Sequence, residues 1–403
     1  MDVADAVGLL MTPEGRDDPY PTYDALRAHG PLVRVQDGFY VASGHAVIDE
    51  MLRDPRMRVT DGEFLGRIAP DLDPGLAVRS IGRSMLQTNA PDHTRMRRLA
   101  AGAFTARRVA ALRDTVAAQA TTLANYLGHL ARSEPSVDFV AEFSYPLPVR
   151  VICSLLGVPA GDQAWFRERA GALTAVLEPV LAAGELHDAD RAVAELESYF
   201  TDLVAQRRRE PLDDLTTALV QAHDGNGATL AADELLANLV LLLVAGFETT
   251  TNLLGNGLVV LLRHPDLAAR LREDPALAER YVEELLRFDS PVQLTTRWSR
   301  EDASYAGVAV PAYSEVLVLL GAGNRDPVRF AKADRFDPAR EPNHPLSFGA
   351  GAHYCLGAAL ARLEAQVAFP LLLSRFPTMA LAGEPVRRDR LTLRGYASLP
   401  LTV

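Results

Sequence analysis

The chain has 403 residues, 48% of them hydrophobic and 23% charged, which is material for a large core without the bias of a disordered or fibrous sequence. A net charge of -11 and a pI near 5.4 argue against a chain that as a whole binds nucleic acid or anionic lipid. Two cysteines, Cys153 and Cys355, are too few for a disulfide framework or a four-thiolate metal site, so the cytoplasm is the expected compartment.

Residues 1–16 have neither the basic start of a signal peptide nor the ~20 apolar residues of a membrane span, and no membrane association is expected. Leu32–Val35 and Phe39–Val41 flank Asp37-Gly38 and read as a β-hairpin. Asp61 to Asn89 has little periodicity and several Gly and Pro residues, which predicts a long loop of the functional kind. Helical spacing follows over Thr105–Tyr126, Asp162–Leu181 and Asp188–Arg209. Cys153, inside the apolar run Val149–Leu156, reads as a small core residue.

The strongest helix runs from about Ala232 to His264, on the order of 45 Å at 1.5 Å per residue. Leu235 to Phe247 is apolar almost all round, so this helix should be buried. A second helix, Asp274–Phe288, stops before Pro291. Strand-like runs come next (Gln293–Trp298, Val308–Val310, Val316–Leu319), then an irregular stretch and an apolar helix, Ala358–Leu373. With no internal repeat and no low-complexity linker, the expectation is one domain over residues 1–403, mainly α with small β-sheets.

Three segments carry chemistry. In Phe348-Gly-Ala-Gly-Ala-His-Tyr-Cys355-Leu-Gly357 the glycines permit tight turning and close approach to a flat ligand. A cysteine at a helix start lies among free N–H groups that favour the thiolate, the metal-ligating form. Ala245-Gly-Phe-Glu248-Thr249-Thr250, halfway along the long helix, is costly. An interior Gly loses about 1 kcal/mol against Ala, and a buried carboxylate needs a reason. An acid–alcohol pair that manages protons beside a ligand would supply one. Finally, His93 and Arg97 are four apart on one helix face, Arg297 follows Pro291, and His353 precedes Cys355 by two residues, bases suited to carboxylates.

Phe348 to Gly357 is similar to the haem-binding loop of the cytochrome P-450 family, meeting each fixed position: Phe, two residues, Gly, one, a basic residue, one, Cys, one, Gly. Ala245–Thr250 is similar to that family's oxygen-activation motif. The resemblance covers nearly the whole chain and implies the cytochrome P-450 fold with haem b, Cys355 as the iron's thiolate ligand, and His93, Arg97, Arg297 and His353 on the haem propionates. It also implies that Thr249 steadies bound dioxygen, that Glu248 serves the proton relay, and that Glu284, Arg287 and Arg335 form a structural triad behind the cysteine loop. One departure is Asn89-Ala90-Pro91, where the family often has Asp-Pro-Pro; a looser turn is expected there.

The implied function is a monooxygenase that inserts one atom of dioxygen into a medium-to-large, largely apolar small-molecule organic substrate. The pocket wall is expected from 61–89, 172–186, 241–245, 292–296 and the turn near Tyr396. With no NAD or flavin motif in the sequence, electrons are expected from a separate ferredoxin and ferredoxin reductase, steered by Arg95, Arg98, Arg107, Arg108 and Arg362, to a monomeric enzyme. A peroxide-driven peroxygenase and a non-catalytic haem-binding protein are the alternatives, and the Glu248–Thr249 pair argues against both.

Overall fold

A computed structural model describes residues 1–71, 73–102, 104–179, 183–223, 227 and 229–403. Leu72, within the expected 61–89 loop, and Val180 and Leu181, at the end of the expected 162–181 helix, lie outside the described residues. The chain divides into two compact units: Met1–Arg58, Ala120–Ser144 and Thr249–Val403 form the first, and Val59–Gln119 and Tyr145–Glu248 the second.

The first unit holds the sheets. Leu32–Gln36 pairs antiparallel with Phe39–Ala42 across Gly38, whose φ of 72° is one that glycine adopts without strain. Phe39–Ala42 runs parallel to Glu315–Val318, which pairs with Thr295–Ser299, and Met57–Arg58 closes the five-stranded sheet. Arg297 therefore sits on an interior strand, opposite Val316. Against this sheet pack Val47, Ile48, Met51 and Leu52 of helix His45–Arg53, together with Leu346 and Ala350. The same core thus seats the segment that leads to Cys355.

The pair Glu284–Arg287 on helix Ala278–Phe288 is fully buried. All five guanidinium N–H groups are used: two on Glu284 (2.7 and 2.8 Å) and three on the carbonyls of Asn324 (2.9 Å), Ala333 (2.8 Å) and Arg335 (2.9 Å). Arg335 thus joins through its carbonyl. The further cation on Glu284 is Arg340 at 3.3 Å, which corrects the expected triad, and the Asp337 N–H (2.8 Å) and Asn343 amide (3.1 Å) complete the set.

In the second unit, the segment expected as a long loop contains two short helices, Gly62–Ile68 and Gly75–Gly82. Asp61 caps the first by accepting from the Phe64 N–H at 3.1 Å. The second is too short to stand alone; Asp73 accepts its Gly75 N–H at 3.0 Å, and the rest of its hold comes from outside the segment. The Asn89 side chain accepts from the Val59 N–H (3.1 Å) and donates to the Val59 carbonyl (3.1 Å) and to Asp61 (2.6 Å), which ties this turn to the start of the segment. Thr105–Tyr126 is two helices, Ala106–Ala111 and Arg113–Leu130. Helix Gln163–Leu173 and a turn over Thr174–Leu177 occupy the described part of 162–181.

The long helix spans Ala232–Leu262. It is long and apolar enough to cross a bilayer, but 72% of its most apolar window is buried inside the fold.

Glu364, on helix Ala358–Arg375, is fully buried, and among the described residues neither carboxylate oxygen has a hydrogen-bond partner. Burial raises its pKa well above the ordinary carboxyl value. The folded state therefore keeps this proton while the unfolded chain loses it, so stability falls as pH rises above the usual carboxyl range toward the folded pKa. Glu364→Gln should flatten that slope. Urea unfolding at pH 5 and pH 8 should show a larger gain for the variant at pH 8; an equal gain at both would place the ionisation elsewhere.

Candidate functional site

Cys355 lies at the end of a loop bent twice through left-handed backbone, at Gly349 (φ 69°) and Gly351 (φ 68°). A Cβ on Gly351 would fall 2.2 Å from the Leu52 carbonyl oxygen, so both the conformation and the close approach demand glycine. The Cys355 N–H donates to the Phe348 carbonyl at 2.9 Å and closes the loop, and helix Ala358–Arg375 begins at its cap Gly357, two residues on. The thiol thus stands exposed, two residues before the cap of that helix. Cys153 is the opposite case: it is buried, and burial pushes its thiol up to about 12. As expected from the sequence, it is a core residue, and it stays protonated.

On the long helix, every residue from Ala237 to Leu261 is buried except Ala245, Gly246 and Thr249. Positions 245 and 249 are one turn apart, so these three small residues open a single stripe on an otherwise covered helix. Gly246 also has a packing reason, since a Cβ there would meet Ile152 Cγ1 at 2.6 Å. Glu248, beside the stripe, is only 2% exposed and is not the solvated acid of a simple kink.

Arg297 is 6% exposed, and its hydrogen bonds go to Thr295 Oγ1 (2.9 Å) and the Thr296 carbonyl (2.7 Å), neither of them charged. Burial lowers its pKa to about 10. A buried guanidinium without an acidic partner among the described residues fits a site that receives a carboxylate. His93 is buried on helix Asp92–Ala101 with Arg97 one turn on; burial first, and then the Arg97 charge, hold its imidazole below the usual value. His353 is half-buried in the turn Gly351–His353. Thr249, Arg297, His353 and Cys355 belong to the first unit, and His93, Arg97 and Glu248 to the second.

Three of the five expected basic residues have acidic partners. Arg95 is bidentate on Glu234, Arg362 on Glu283, and Arg108 pairs with Asp213 at 3.3 Å. Sequence reasoning did not find Arg340 and Asn343 on Glu284, since neither stands at helical spacing from it.

The sequence model of the family described as cytochrome P-450 matches residues 179–392. The chain is 38% identical over 392 residues to the cytochrome P-450 monooxygenase PikC of Streptomyces venezuelae, covering 95% of this chain and 91% of that protein. It is 38% identical over 396 residues to the 6-deoxyerythronolide B hydroxylase of Saccharopolyspora erythraea, with 95% and 96% covered. The crystal structure of ligand-free CYP164A2 from Mycobacterium smegmatis matches at a TM-score of 0.89 and 37% identity over the full length of both chains. The chain belongs to the cytochrome P-450 family.

It is an oxidoreductase of the monooxygenase class, with the mainly α P-450 fold and haem b as its cofactor. The residues present fit that group. An exposed cysteine at a tight loop offers one protein ligand, and Arg297 offers a buried cation for a carboxylate. Arg297→Leu should loosen haem by about ten- to a hundred-fold, the loss of one charged hydrogen-bond partner. Haem transfer to an apo-globin measures this, and an unchanged rate would return Arg297 to a structural role.

Proposed function

We propose that this P-450 monooxygenase hydroxylates or epoxidises a medium-to-large, largely apolar organic substrate, in the manner of a secondary-metabolite tailoring enzyme. It acts in the cytoplasm as one haem-binding domain, and its electrons come from a separate ferredoxin and ferredoxin reductase. The observation that carries the reading is the open stripe Ala245–Gly246–Thr249: small residues and one hydroxyl bared on a helix buried everywhere around it. The apolar stretch Leu241–Val244 just before the stripe supports an apolar substrate. A relative named 6-deoxyerythronolide B hydroxylase supports hydroxylation of such a compound.

Cys355 would hold the haem iron as thiolate, with Arg297, His93, Arg97 and His353 on the propionates. Haem held this way supplies the redox chemistry of oxygen activation, and a thiolate ligand favours O–O cleavage. The chain's own residues then manage protons and water. The Thr249 hydroxyl, in the open stripe, holds a proton where dioxygen is reduced. Glu248, next along the chain and shielded from bulk solvent, resupplies it. One oxygen atom enters the substrate and the other leaves as water, consuming two electrons and two protons. NADH-driven product formation with surrogate ferredoxin and reductase tests the reading. Product only with added peroxide would make the protein a peroxygenase, and no product under either regime would leave it a haem carrier.

Cys355→Ala should lose the strongly red-shifted Soret band of the reduced, carbon-monoxide-bound enzyme, while Cys153→Ala should keep it. A normal band in Cys355→Ala would reject the ligand assignment.

Thr249→Ala should keep haem and substrate binding but form less product per NADH consumed, the balance appearing as peroxide or water. An unchanged ratio would mean that Thr249 only packs.

A further inference from the structure

Helix Gly75–Gly82 is eight residues long, and its own cap position, Pro74, offers no side-chain hydrogen bond. Asp73 just before it accepts the Gly75 N–H at 3.0 Å, and helix Ala183–Arg209 of the same unit supplies the further hold. Asp190 Oδ1 accepts the Ala77 N–H at 2.8 Å, which places a carboxylate at the short helix's N-terminus. One turn on, the buried Ser80 hydroxyl donates to Glu197 Oε1 at 2.6 Å. Asp190 and Glu197 are seven residues apart, two turns, and so share a face. Gly75 adopts a φ of 79°, and a Cβ there would lie 2.9 Å from both Asp190 carboxylate oxygens and 3.2 Å from Leu186 Cδ1. A side chain at 75 would push Asp190 away. Among the described residues neither carboxylate is in an ion pair, so both charges are directed at the short helix.

Three residues past this helix, the Met85 N–H donates to Asn238 Oδ1 on the long helix at 3.0 Å. Asn238 lies two turns before Ala245, so the segment is pinned about 10 Å along the helix from the open stripe.

We propose that Asp190 and Glu197 are positioning residues that clasp helix Gly75–Gly82 and thereby control substrate entry and fit. The proposal rests on the reading of 61–89 as pocket wall. Two hydrogen bonds to charged acceptors must break together before the helix can leave, so its departure is cooperative. Neither acid touches the reacting atoms.

The test uses the full-length holoenzyme. Hydrogen–deuterium exchange across 75–82 is measured in the wild type, Asp190→Ala, Asp190→Asn and Glu197→Gln. The control is Glu195→Gln, on the same long helix as the two acids, which removes the ion pair to Arg169 of helix Gln163–Leu173 and leaves the clasp intact. Stopped flow follows phenylimidazole binding to the haem by its spectral shift. Asp190→Ala should raise exchange across 75–82 by about ten-fold, as for loss of a charged hydrogen bond, with Asp190→Asn intermediate and Glu195→Gln at the wild-type level. Probe association and dissociation should quicken in the same order. Unchanged exchange in Asp190→Ala would overturn the clasp. Raised exchange with unchanged probe rates would overturn its role in entry and show that the pocket-wall reading is what failed.

Discussion

Glu284 and Arg287 are two opposite charges with no exposed surface, an arrangement that is stabilising only when every donor and acceptor is satisfied. Here the satisfaction comes mostly from chain that has no secondary structure of its own. Arg287 bonds three carbonyls between 324 and 335, and Glu284 takes groups between 337 and 343. The Asn324 side chain carries the order onward: it accepts from the Leu346 N–H at 2.6 Å and donates to Ser347 at 2.9 Å. A two-charge centre on one helix thus fixes an irregular stretch up to the threshold of the cysteine loop. Removing either charge would strand the other and release all of it.

That stretch delivers Phe348–Gly357 to a place where only glycine backbone fits. Gly351 lies against the end of helix His45–Arg53 so closely that a methyl group would overlap the Leu52 carbonyl. The cysteine loop is therefore shaped by packing on one side and by the buried charges on the other, and Cys355 emerges exposed with its N–H already committed to Phe348. Arg362, stacked over the Phe348 ring at 4.4 Å and bonded to Glu283, braces the same turn from the following helix. On the long helix the same economy holds. Gly246 is required by Ile152, while the neighbouring Ala245 and Thr249 form the only open stripe between Ala237 and Leu261. A residue costly to helix stability is kept because it serves packing, and its smallness also helps to leave that stripe bare.

The expectation for Arg335 failed for a reason that recurs along the chain. Arg335 stands in the right stretch of sequence for the triad, but its carbonyl does the work and Arg340 supplies the charge, because an irregular chain places side chains without period. Arg95, Arg108 and Arg362, expected to steer a redox partner, also have acidic partners distant in sequence: Glu234, Asp213 and Glu283. Charge counting along a chain cannot see such neutralisation. Asn89 reaches back to Val59, a contact thirty residues away that no local pattern announces.

The sequence by itself determined the family, the cofactor class, the extent of the long buried helix, the N-terminal hairpin, and the distinction between the two cysteines. Each of these rests on local information: helical or alternating apolar periodicity, glycines at fixed offsets, and a fixed motif around one thiol. Only the tertiary structure decided which charges are spent on one another and that the 61–89 segment contains two short helices. It also decided that an acid more than a hundred residues away caps one of those helices. The physical reason is that a short helix, a buried guanidinium and an irregular loop cannot satisfy their own polar groups, so their conformation is set by whatever partner the fold brings to them.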